Sequence, residues 1–398
     1  MTIIPVTDKK TKKQFHDTAR KIYRDSKYWI CPLDDAIDKI FDPKRNVFFN
    51  HGDATRWILK NDKDELIGRI GAFINEKKAY NFEQPTGGCG FFECINDPAA
   101  ANLLFDTAKQ WLKERGMEAM DGPINFGEND NFWGLLVEGF DKSPAYGMNY
   151  NHSYYQKLFE NYGFQFYFEQ VTNVLDLNKK FPERFWKIAE WITQKPGFSF
   201  EHFKYEEAER YIDNLKEVYD DAWKYHENFT PINKTDIYNS MEEAKPILVE
   251  DFVWFAYHNG EPIAFLIMFP DFNQILQHFN GKISGLNILK FLWLKNRKTM
   301  TRARVTIMGV KPKFQRMGIE SGIFWHMNEA MKNHPEYKEL ELSWVGDFNP
   351  KMRRIHTAVG SEFSKRHYTY RKIFDPVKDV SRSSIISKDT KDREMGKK

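Results

Sequence analysis

The chain has 398 residues, enough for two or three domains that each bury a core of their own. Lys and Arg number 59 and Asp and Glu number 56, so the net charge of +3 excludes the strongly basic surface of a general nucleic-acid-binding protein. Hydrophobic residues make up 41% of the chain, which excludes a largely disordered protein. We expect a globular protein with no nucleic-acid partner.

The cysteines and the amino terminus bear on the cellular compartment. Three cysteines, an odd number without C-x-x-C spacing, predict neither a disulfide framework nor a zinc site, and we expect no metal. Residues 1–15 contain lysines without the following apolar stretch of a secretory signal. The longest apolar runs fall well short of the roughly 20 residues that cross a bilayer. These features favour a protein that is located in the reducing cytoplasm.

Elements of the first half are predicted in chain order. A helix over 12–24 precedes strands over 56–60 and 67–73, and the polar turn 61–65 between them indicates an antiparallel hairpin. The elements that follow are a third strand over 90–95, an amphipathic helix over 99–114, a further strand, a helix over 153–162 and a last strand over 164–175.

The second half repeats this order. A helix over 206–226 precedes a hairpin of strands over 252–257 and 263–269. The elements that follow are a strand ending near Val310, the loop 311–318, a helix over 319–332, a strand over 340–345, a helix over 349–359 and a strand over 363–374. The repeat predicts an α/β fold of the α+β type, with two domains that each contain a mixed, mostly antiparallel sheet flanked by helices.

The domain limits are predicted from changes in composition. We expect a first domain over 1–178, a joint near 178–182 and a second domain over 183–375. Residues 376–398 are polar and contain few aromatics, which predicts a mobile tail.

The most informative segment is 304–324, with the sequence RVTIMGVKPKFQRMGIESGIF. An alternating strand leads into a short loop that contains Gln315, Arg316 and Gly318, and a helix begins at once. A helix start offers unpaired amides and the positive end of the helix dipole, and a glycine lets a ligand approach the backbone, so the arrangement suits a diphosphate. A plain strand-to-helix turn is the alternative.

The spacing of this loop resembles the Q/R-x-x-G-x-G/A signature of the GNAT acyltransferase superfamily, which binds the pyrophosphate of acyl-coenzyme A. Glu320 departs from the signature, because a small residue is usual there; its carboxylate favours the helix dipole but would repel a phosphate if it pointed inward. The predicted helix 349–359, with Asn349 at its cap and Gly360 at its end, is similar to the last helix of the superfamily. The resemblance implies a cofactor-binding set of Val310, Gln315, Arg316, Met317, Gly318, Ile319, Glu320 and Asn349.

Longer segments resemble a tandem-GNAT group that includes bacterial ceramide synthase-like proteins. These segments are DGPINFGENDNFWGLLVEGFD at 121–141, the pair Tyr154 and Tyr155, PDFN at 270–273 and ELSWVGDFN at 341–349. The resemblance implies two GNAT-like domains, an acyl-CoA donor substrate with no permanently bound cofactor, and an amine acceptor such as a long-chain amino alcohol. The first half lacks the diphosphate loop. We interpret it as a degenerate copy that forms one wall of the acceptor site or supports the fold.

Positive charge is concentrated between Phe272 and Ile319, where ten Lys and Arg residues occur without Asp or Glu. Such a region would attract coenzyme A phosphates or anionic lipid headgroups. Inside it, the apolar segment 283–294, ISGLNILKFLWL, is bordered by lysines. Three interpretations are open: an interfacial helix at the inner face of the membrane, an apolar mouth for an acyl chain, or a core helix with a solvated basic edge.

Amide formation from a thioester requires an amine to lose a proton and a thiolate to leave. Glu341, on the same side of a predicted strand as Ser343, is a candidate base that acts directly or through water. His356, near the place where many GNAT enzymes have a tyrosine, is a candidate acid. Structural roles are the alternatives: an ion pair for Glu341 and core packing for His356.

Polar residues beside aromatic ones are candidates for binding the acceptor, although turn formation and core packing explain them equally well. The predicted acceptor-binding residues are Glu128, Asn129, Tyr154, Tyr155, Asp271 and Asn273.

Several enzyme classes are excluded because their motifs are missing: the chain has no G-x-x-x-x-G-K-[ST], H-E-x-x-H or G-x-S-x-G sequence. We predict an acyl-CoA-dependent N-acyltransferase whose acceptor is an amine, with a sphingoid-type base as the narrower prediction. The alternatives are an N-acetyltransferase of a small amine or amino acid, and a non-catalytic lipid- or peptide-binding protein with the same scaffold. The oligomeric state is left open.

Overall fold

The computed structural model describes residues 1–129, 131–224 and 231–383. These residues form two compact units. The first contains Met1–Val171, Ile275–Trp293 and 365–383, and the second contains Thr172–Gln274 and Leu294–Ser364. The end of the predicted helix 206–226 and most of the predicted tail 376–398 lie outside the described residues.

The bounds of the elements follow in chain order. The strands are β1 (Thr2–Pro5), β2 (Gly52–Lys60), β3 (Leu66–Asn75), β4 (Thr86–Cys94), β5 (Ala119–Gly122), β6 (Leu135–Glu138), β7 (Gln165–Asp176), β8 (Phe198–His202), β9 (Val253–His258), β10 (Glu261–Pro270), β11 (Arg302–Val310), β12 (Glu339–Gly346) and β13 (Glu362–Ile373). The helices are α1 (Lys9–Ile22), α2 (Asp34–Ile40), α3 (Glu76–Ala79), α4 (Pro98–Lys113), α5 (Tyr155–Tyr162), α6 (Glu183–Gln194), α7 (Ala208–Trp223), α8 (Lys234–Ala244), α9 (Asn273–Leu276), α10 (Leu286–Asn296), α11 (Ile319–Met331) and α12 (Pro350–Ala358).

The sheet of the first unit has the strand order β1-β2-β3-β4-β5-β13. Its strands pair antiparallel except for β4 and β5, which are parallel. The β2–β3 hairpin forms because the Asn61 side chain accepts hydrogen bonds from the amides of Lys63 and Glu65, which closes the polar turn. Helices α4 and α5 contribute Phe105 and Phe159 to an aromatic core against this sheet.

The sheet of the second unit has the strand order β12-β11-β10-β9-β8, with β11 and β12 parallel and the other pairs antiparallel. Its core joins Tyr211 of α7 to Phe255 and Phe265 of the β9–β10 hairpin. Helix α11 buries Ile319, and its apolar face packs beside α6. In each unit the strands form a mixed, mostly antiparallel part of the sheet flanked by helices, which confirms the predicted fold class.

Strand β13 is located where the chain order alone does not place it. Its residues from Lys365 onward belong to the first unit, where Ile373 pairs with Ala119 of β5 and Tyr368 pairs with Leu135 of β6. The predicted domain limits of 1–178 and 183–375 remain predictions.

Candidate functional site

Strands β11 and β12 pair only near their beginnings. Their parallel register covers four positions, from Arg302 opposite Glu339 to Val305 opposite Leu342. Both strands continue beyond this register, to Val310 and Gly346. Crevices at the carboxyl ends of parallel strands are the usual ligand sites of α/β sheets.

The loop that leaves β11 ends in an open helix start. After a short 3₁₀ turn at Pro312–Phe314, the backbone is left-handed at Arg316 (φ +70°) and at Gly318 (φ +82°). Gly318 is the N-cap of α11, and because it is a glycine it contributes no side-chain cap. Left-handed residues turn successive amides toward a common point, and the helix dipole adds positive potential there. The loop therefore suits an anion such as a diphosphate.

Gln315 ties this loop to two neighbouring elements. Its Nε2 donates to the carbonyl oxygen of Val310 (3.1 Å), and its Oε1 accepts from Nζ of Lys351 (3.2 Å). Asn349 begins the same helix α12, where its Oδ1 accepts from the amide of Met352 (3.2 Å). The structure thus brings Val310, Gln315 and the start of α12 together, and it adds Lys351, a cation that the sequence interpretation missed.

The side chains at the start of α11 have different roles. Arg316 is exposed and Met317 is half-buried, while Ile319 is fully buried, so only the backbone of Ile319 can face a ligand. A Cβ atom at Gly318 would lie 2.6 Å from Cγ2 of Ile188 in α6. This close approach and the positive φ together require glycine at that position.

Glu320 is the residue that competes with an anion here. Burial raises the pKa of its carboxyl, while a hydrogen bond from its own amide and the nearby Lys351 ammonium act in the opposite direction. The carboxyl therefore occupies part of the helix start. Its charge, when present, opposes a phosphate at the same amides.

A second feature lies at the beginning of β11, where Asp271 is fully buried beside Arg302. Its Oδ2 accepts from Nε (2.9 Å) and Nη2 (2.6 Å) of Arg302, and its Oδ1 accepts from the amide of Asn273 (3.2 Å). Burial alone would lower the pKa of Arg302, but the carboxylates of Asp271 and Glu341 outweigh it and raise that pKa. Asp271 and Asn273 therefore serve a buried ion pair.

Glu341 extends this ion pair into a cluster on neighbouring strands. It lies opposite Arg304 in the β11–β12 register and has no solvent exposure. Nη2 of Arg304 donates to Oγ of Ser343 (3.0 Å). We call Asp271, Arg302, Arg304, Glu341 and Ser343 the buried charge cluster. The guanidinium groups of Arg302 and Arg304 therefore place positive charge in the same cluster as the Glu341 carboxyl.

His356 lies on α12 and is 6% exposed. Its Nδ1 is 3.2 Å from Nδ2 of Asn173. Burial, reinforced by the charge of Arg353, lowers the pKa of His356 to about 4. The imidazole is therefore neutral at pH 7, which counts against the predicted acid role.

The predicted acceptor residues of the first unit separate into two groups. The Tyr155 hydroxyl donates to Oε2 of Glu93 (2.9 Å), and the Tyr154 hydroxyl donates to the carbonyl oxygen of Cys94 (2.8 Å). Both tyrosines therefore support the end of β4. Glu128 and Asn129 are exposed, and Oε2 of Glu128 lies 4.0 Å from Nζ of Lys78.

A cavity of about 60 Å³ in the first unit is lined mostly by apolar and aromatic side chains. Its polar part contains Tyr155, Glu93 and Arg69, with Nη2 of Arg69 3.4 Å from Oε1 of Glu93. Burial raises the pKa of Glu93 despite the attraction of Arg69. The sequence interpretation missed this pair, because neither residue belongs to a recognisable motif.

Helix α4 of the first unit has a side chain that caps its start, whereas the N-cap of α11 in the second unit has none. Oδ1 of Asp97 accepts from the amides of Ala99 (2.8 Å) and Ala100 (3.4 Å), so α4 has a side-chain cap. An anion would find these amides occupied, which supports the interpretation of this half as a degenerate copy.

The residues that the structure describes were searched for a metal centre and for a membrane span. Among the residues in the described ranges, no group of three His, Cys, Asp or Glu side chains could hold a metal ion. In the same ranges, no helix has the length and apolar character needed to cross a bilayer.

Similarity to known bacterial proteins extends over most of the chain. No family model matches it. The chain is 28% identical to bacterial ceramide synthase of Caulobacter vibrioides (strain NA1000 / CB15N) over 383 residues, which cover 94% of this chain and 97% of that protein. It is 25% identical to protein YghO of Escherichia coli (strain K12) over 364 residues, 90% of this chain and 92% of that one.

Among solved structures, the fold is similar to a tandem GNAT protein from the clavulanic acid biosynthesis pathway. The TM-score is 0.56 at 10% identity, and the match covers 95% of this chain and 99% of the other. The resemblance inferred from the sequence motifs is thereby confirmed. The chain is similar over nearly its whole length to bacterial ceramide synthase, and it has the fold of tandem GNAT (GCN5-related N-acetyltransferase) proteins.

Proposed function

We propose that the protein is an N-acyltransferase that moves an acyl group from acyl-CoA to an amine. The observation that carries this proposal is the start of α11 at Gly318, an N-cap without a side chain that the loop 311–318 connects to the carboxyl end of β11. Similarity to bacterial ceramide synthase over 94% of the chain supports the same reaction class.

The donor would bind with its diphosphate at the amides around Gly318. Lys351 and Arg316 supply positive charge near this point. The pantetheine arm would run between β11 and β12 toward the place where the two strands meet. From Val310 back to Arg304 this path is about 20 Å along the strand, and it leads to the buried charge cluster.

The reaction needs no covalent enzyme intermediate. The amine gives a proton to Glu341, directly or through water, and its lone pair attacks the thioester carbon. The tetrahedral intermediate collapses, the C–S bond breaks and an amide forms. The departing thiolate takes up one proton, and solvent is a better source of it at pH 7 than the neutral His356.

The acceptor in this proposal is a long-chain amino alcohol of the sphingoid type. The similarity to the Caulobacter protein named bacterial ceramide synthase supports this acceptor, and so do the exposed apolar side chains of α10. A protein with such a substrate would act in the cytoplasm and contact membrane lipid peripherally. The predicted acceptor-binding residues Tyr154, Tyr155, Glu128 and Asn129 stay predictions.

A direct assay tests the proposal. The purified chain is incubated with sphinganine and with acetyl-CoA or palmitoyl-CoA in parallel, and the amide is measured by mass spectrometry. We expect N-palmitoyl product. Product from acetyl-CoA alone would favour the small-donor alternative. Failure of every acyl-CoA to raise the unfolding temperature would favour a non-catalytic binder, because a ligand of the folded state stabilises it.

The proposed base has a matched control on the same strand. Glu341→Gln should lower kcat about 100-fold without changing the Kd of the donor, since a general base contributes roughly that much to the rate. Glu339→Gln, an exposed position on β12, should leave kcat unchanged. Equal rates for both variants would exclude Glu341 as the base.

A further inference from the structure

Helix α10 exposes four large apolar side chains. Ile288 is 49% exposed, Leu289 65%, Leu292 46% and Trp293 53%. Among the three interpretations of this segment, burial in a core fails for these four residues. Adjacent exposed apolar side chains of this size mark interaction surfaces in proteins.

The four residues share one side of the helix. At about 100° per residue they fall within an arc of about 140°. Leu294 lies outside this arc and is 5% exposed, so α10 is anchored to the protein by its other side. We call Ile288, Leu289, Leu292 and Trp293 the exposed face of α10.

Lysines border this face on both sides. On the same helical projection, Lys295 lies next to Ile288 and Lys290 lies beyond Trp293. Nζ of Lys290 donates to the carbonyl oxygen of His278 (3.0 Å), and Nζ of Lys295 donates to that of Pro246 (2.5 Å). A carbonyl contact does not neutralise an ammonium charge, so both lysines keep their positive potential. The segment between Phe272 and Ile319 contains no Asp or Glu of its own, and among its cations Lys282 and Lys298 pair with acids of other elements.

The dimensions of α10 suit a surface rather than a span. Its 11 residues extend about 16 Å, roughly half the thickness of the hydrocarbon core of a bilayer. Tryptophan is favoured at the boundary between headgroups and acyl chains, and lysine can keep its ammonium in the headgroup layer while its stem lies on apolar surface.

We propose that the exposed face of α10 docks on a membrane surface that contains anionic lipids. Ile288, Leu289, Leu292 and Trp293 enter the boundary between headgroups and acyl chains, and Lys290 and Lys295 contact lipid phosphates. The inference deepens the proposed function, because a long-chain acceptor resides in membranes. Its test measures lipid binding and not acyl transfer, so the two can fail separately.

Charge complementarity distinguishes this occupant from a second copy of the chain. A twofold interface would place the exposed face against itself and bring its bordering lysines near their equivalents, which is unfavourable. An anionic lipid surface attracts the same lysines. The observed combination of apolar face and basic border therefore favours lipid.

The experiment is co-sedimentation of the full chain with vesicles. One set is phosphatidylcholine alone, and the other contains about one third phosphatidylglycerol, so that anionic charge is the variable. We expect the wild type to bind the mixed vesicles about tenfold more strongly than the double variant Leu289→Ser with Trp293→Ser, since both residues would insert. Trp191→Ser is the matched control, because Trp191 is 54% exposed on α6.

A second double variant, Lys290→Gln with Lys295→Gln, tests the basic border. It should lose the preference for phosphatidylglycerol while its fold, followed by circular dichroism, stays intact. The proposal is overturned if the wild type ignores both vesicle types, or if the serine variant binds as the wild type does. It is also overturned if sedimentation velocity shows a dimer that the serine variant abolishes.

Discussion

Helices α4 and α11 begin at corresponding places in the two units, yet their first turns are closed differently. Each follows the third strand of its repeat and precedes a strand parallel to that one. In α4, the Asp97 carboxylate occupies the amides of Ala99 and Ala100. In α11, the N-cap Gly318 has no side chain, and the carboxyl of Glu320 accepts from its own amide in the first turn. The two N-cap residues therefore leave different amides available at a shared fold position.

The strands beside these helices reinforce the comparison. Parallel pairing of β4 and β5 covers three positions, similar to the four of β11 and β12. Beyond the pairing, the first unit has a small aromatic cavity with the Glu93–Arg69 pair, while the second has the loop of Gln315. Architecture is common to both units, and the chemistry differs with the side chains placed on it.

The largest effect should come from closing the open loop. Gly318→Val places a β-branched side chain at φ +82° and against Ile188, so it should displace the amides that bind the donor. We expect kcat/KM for acyl transfer to fall at least about 1,000-fold, because donor binding and positioning are lost together. Isothermal titration with acyl-CoA would measure the binding component.

Gly260→Val is the matched control for this loss. Gly260 has the same φ of +82°, but beyond its chain neighbours no atom lies within 4 Å of the position that a Cβ would take. The backbone strain is therefore similar and the loop at Gly318 is untouched. If both variants lose activity equally, general instability explains the loss and the donor loop is not where we propose.

Acid should lower the free energy of unfolding through His356, which lies on α12. Burial lowers the pKa of His356 from its ordinary 6.5 to about 4. Between these two pH values the imidazole is protonated in the unfolded chain and neutral in the folded chain, so acid favours unfolding. Its contribution is complete above pH 6.5 and declines as the pH falls toward 4. The total is about 3 kcal/mol in the free energy of unfolding.

Urea unfolding between pH 7 and pH 4 measures this contribution. His356→Gln should reduce the slope of stability against pH, whereas His278→Gln, at an exposed position, should preserve it. A wild-type slope in His356→Gln would mean that other groups cause the acid sensitivity.

Removing the cap from the closed helix should affect stability alone. Asp97→Ala leaves the amides of Ala99 and Ala100 without their acceptor, which should cost about 1 kcal/mol in urea unfolding. The exposed Asp25→Ala is the control, with no change expected. Stabilisation by acyl-CoA should stay at the wild-type level, and its loss would show that the first unit takes part in donor binding.

The smallest effect concerns the residue that departs from the GNAT signature. Glu320→Gln removes a carboxylate charge near the donor diphosphate, so donor affinity should increase about threefold. Glu329→Gln on the same helix, where Glu329 pairs with Lys332, should leave affinity unchanged. Weaker binding in Glu320→Gln would indicate that the carboxylate itself helps to hold the donor.

Local patterns explain which elements were predictable. The predicted strand 67–73 corresponds to β3 at Leu66–Asn75, and the predicted helix 319–332 corresponds to α11 at Ile319–Met331. Alternating burial and glycine stops are properties of neighbouring residues, so they can be inferred without tertiary contacts. Short elements with weak alternation, such as β6 and β8, were not predicted.

Long-range partners explain what was missed at the candidate site. Asp271 and Arg302 are 31 positions apart, and Glu341 meets Arg304 only through the register of two parallel strands. Tyr155 was predicted to bind the acceptor, but its 1% exposure depends on how α5 packs. Such information is absent from residue spacing, whereas the loop of Gly318 is contained in one short segment.

Strand β13 has a consequence for biosynthesis. Among the strands in the described residues it leaves the ribosome last, yet its residues from Lys365 onward pair beside β5. The edge strand β5 of the nascent first unit therefore stays unpaired by β13 while about 200 further residues are translated. Splitting the gene after position 178 would leave that edge permanently open, and the amino-terminal fragment should aggregate unless residues 365–373 are supplied in trans.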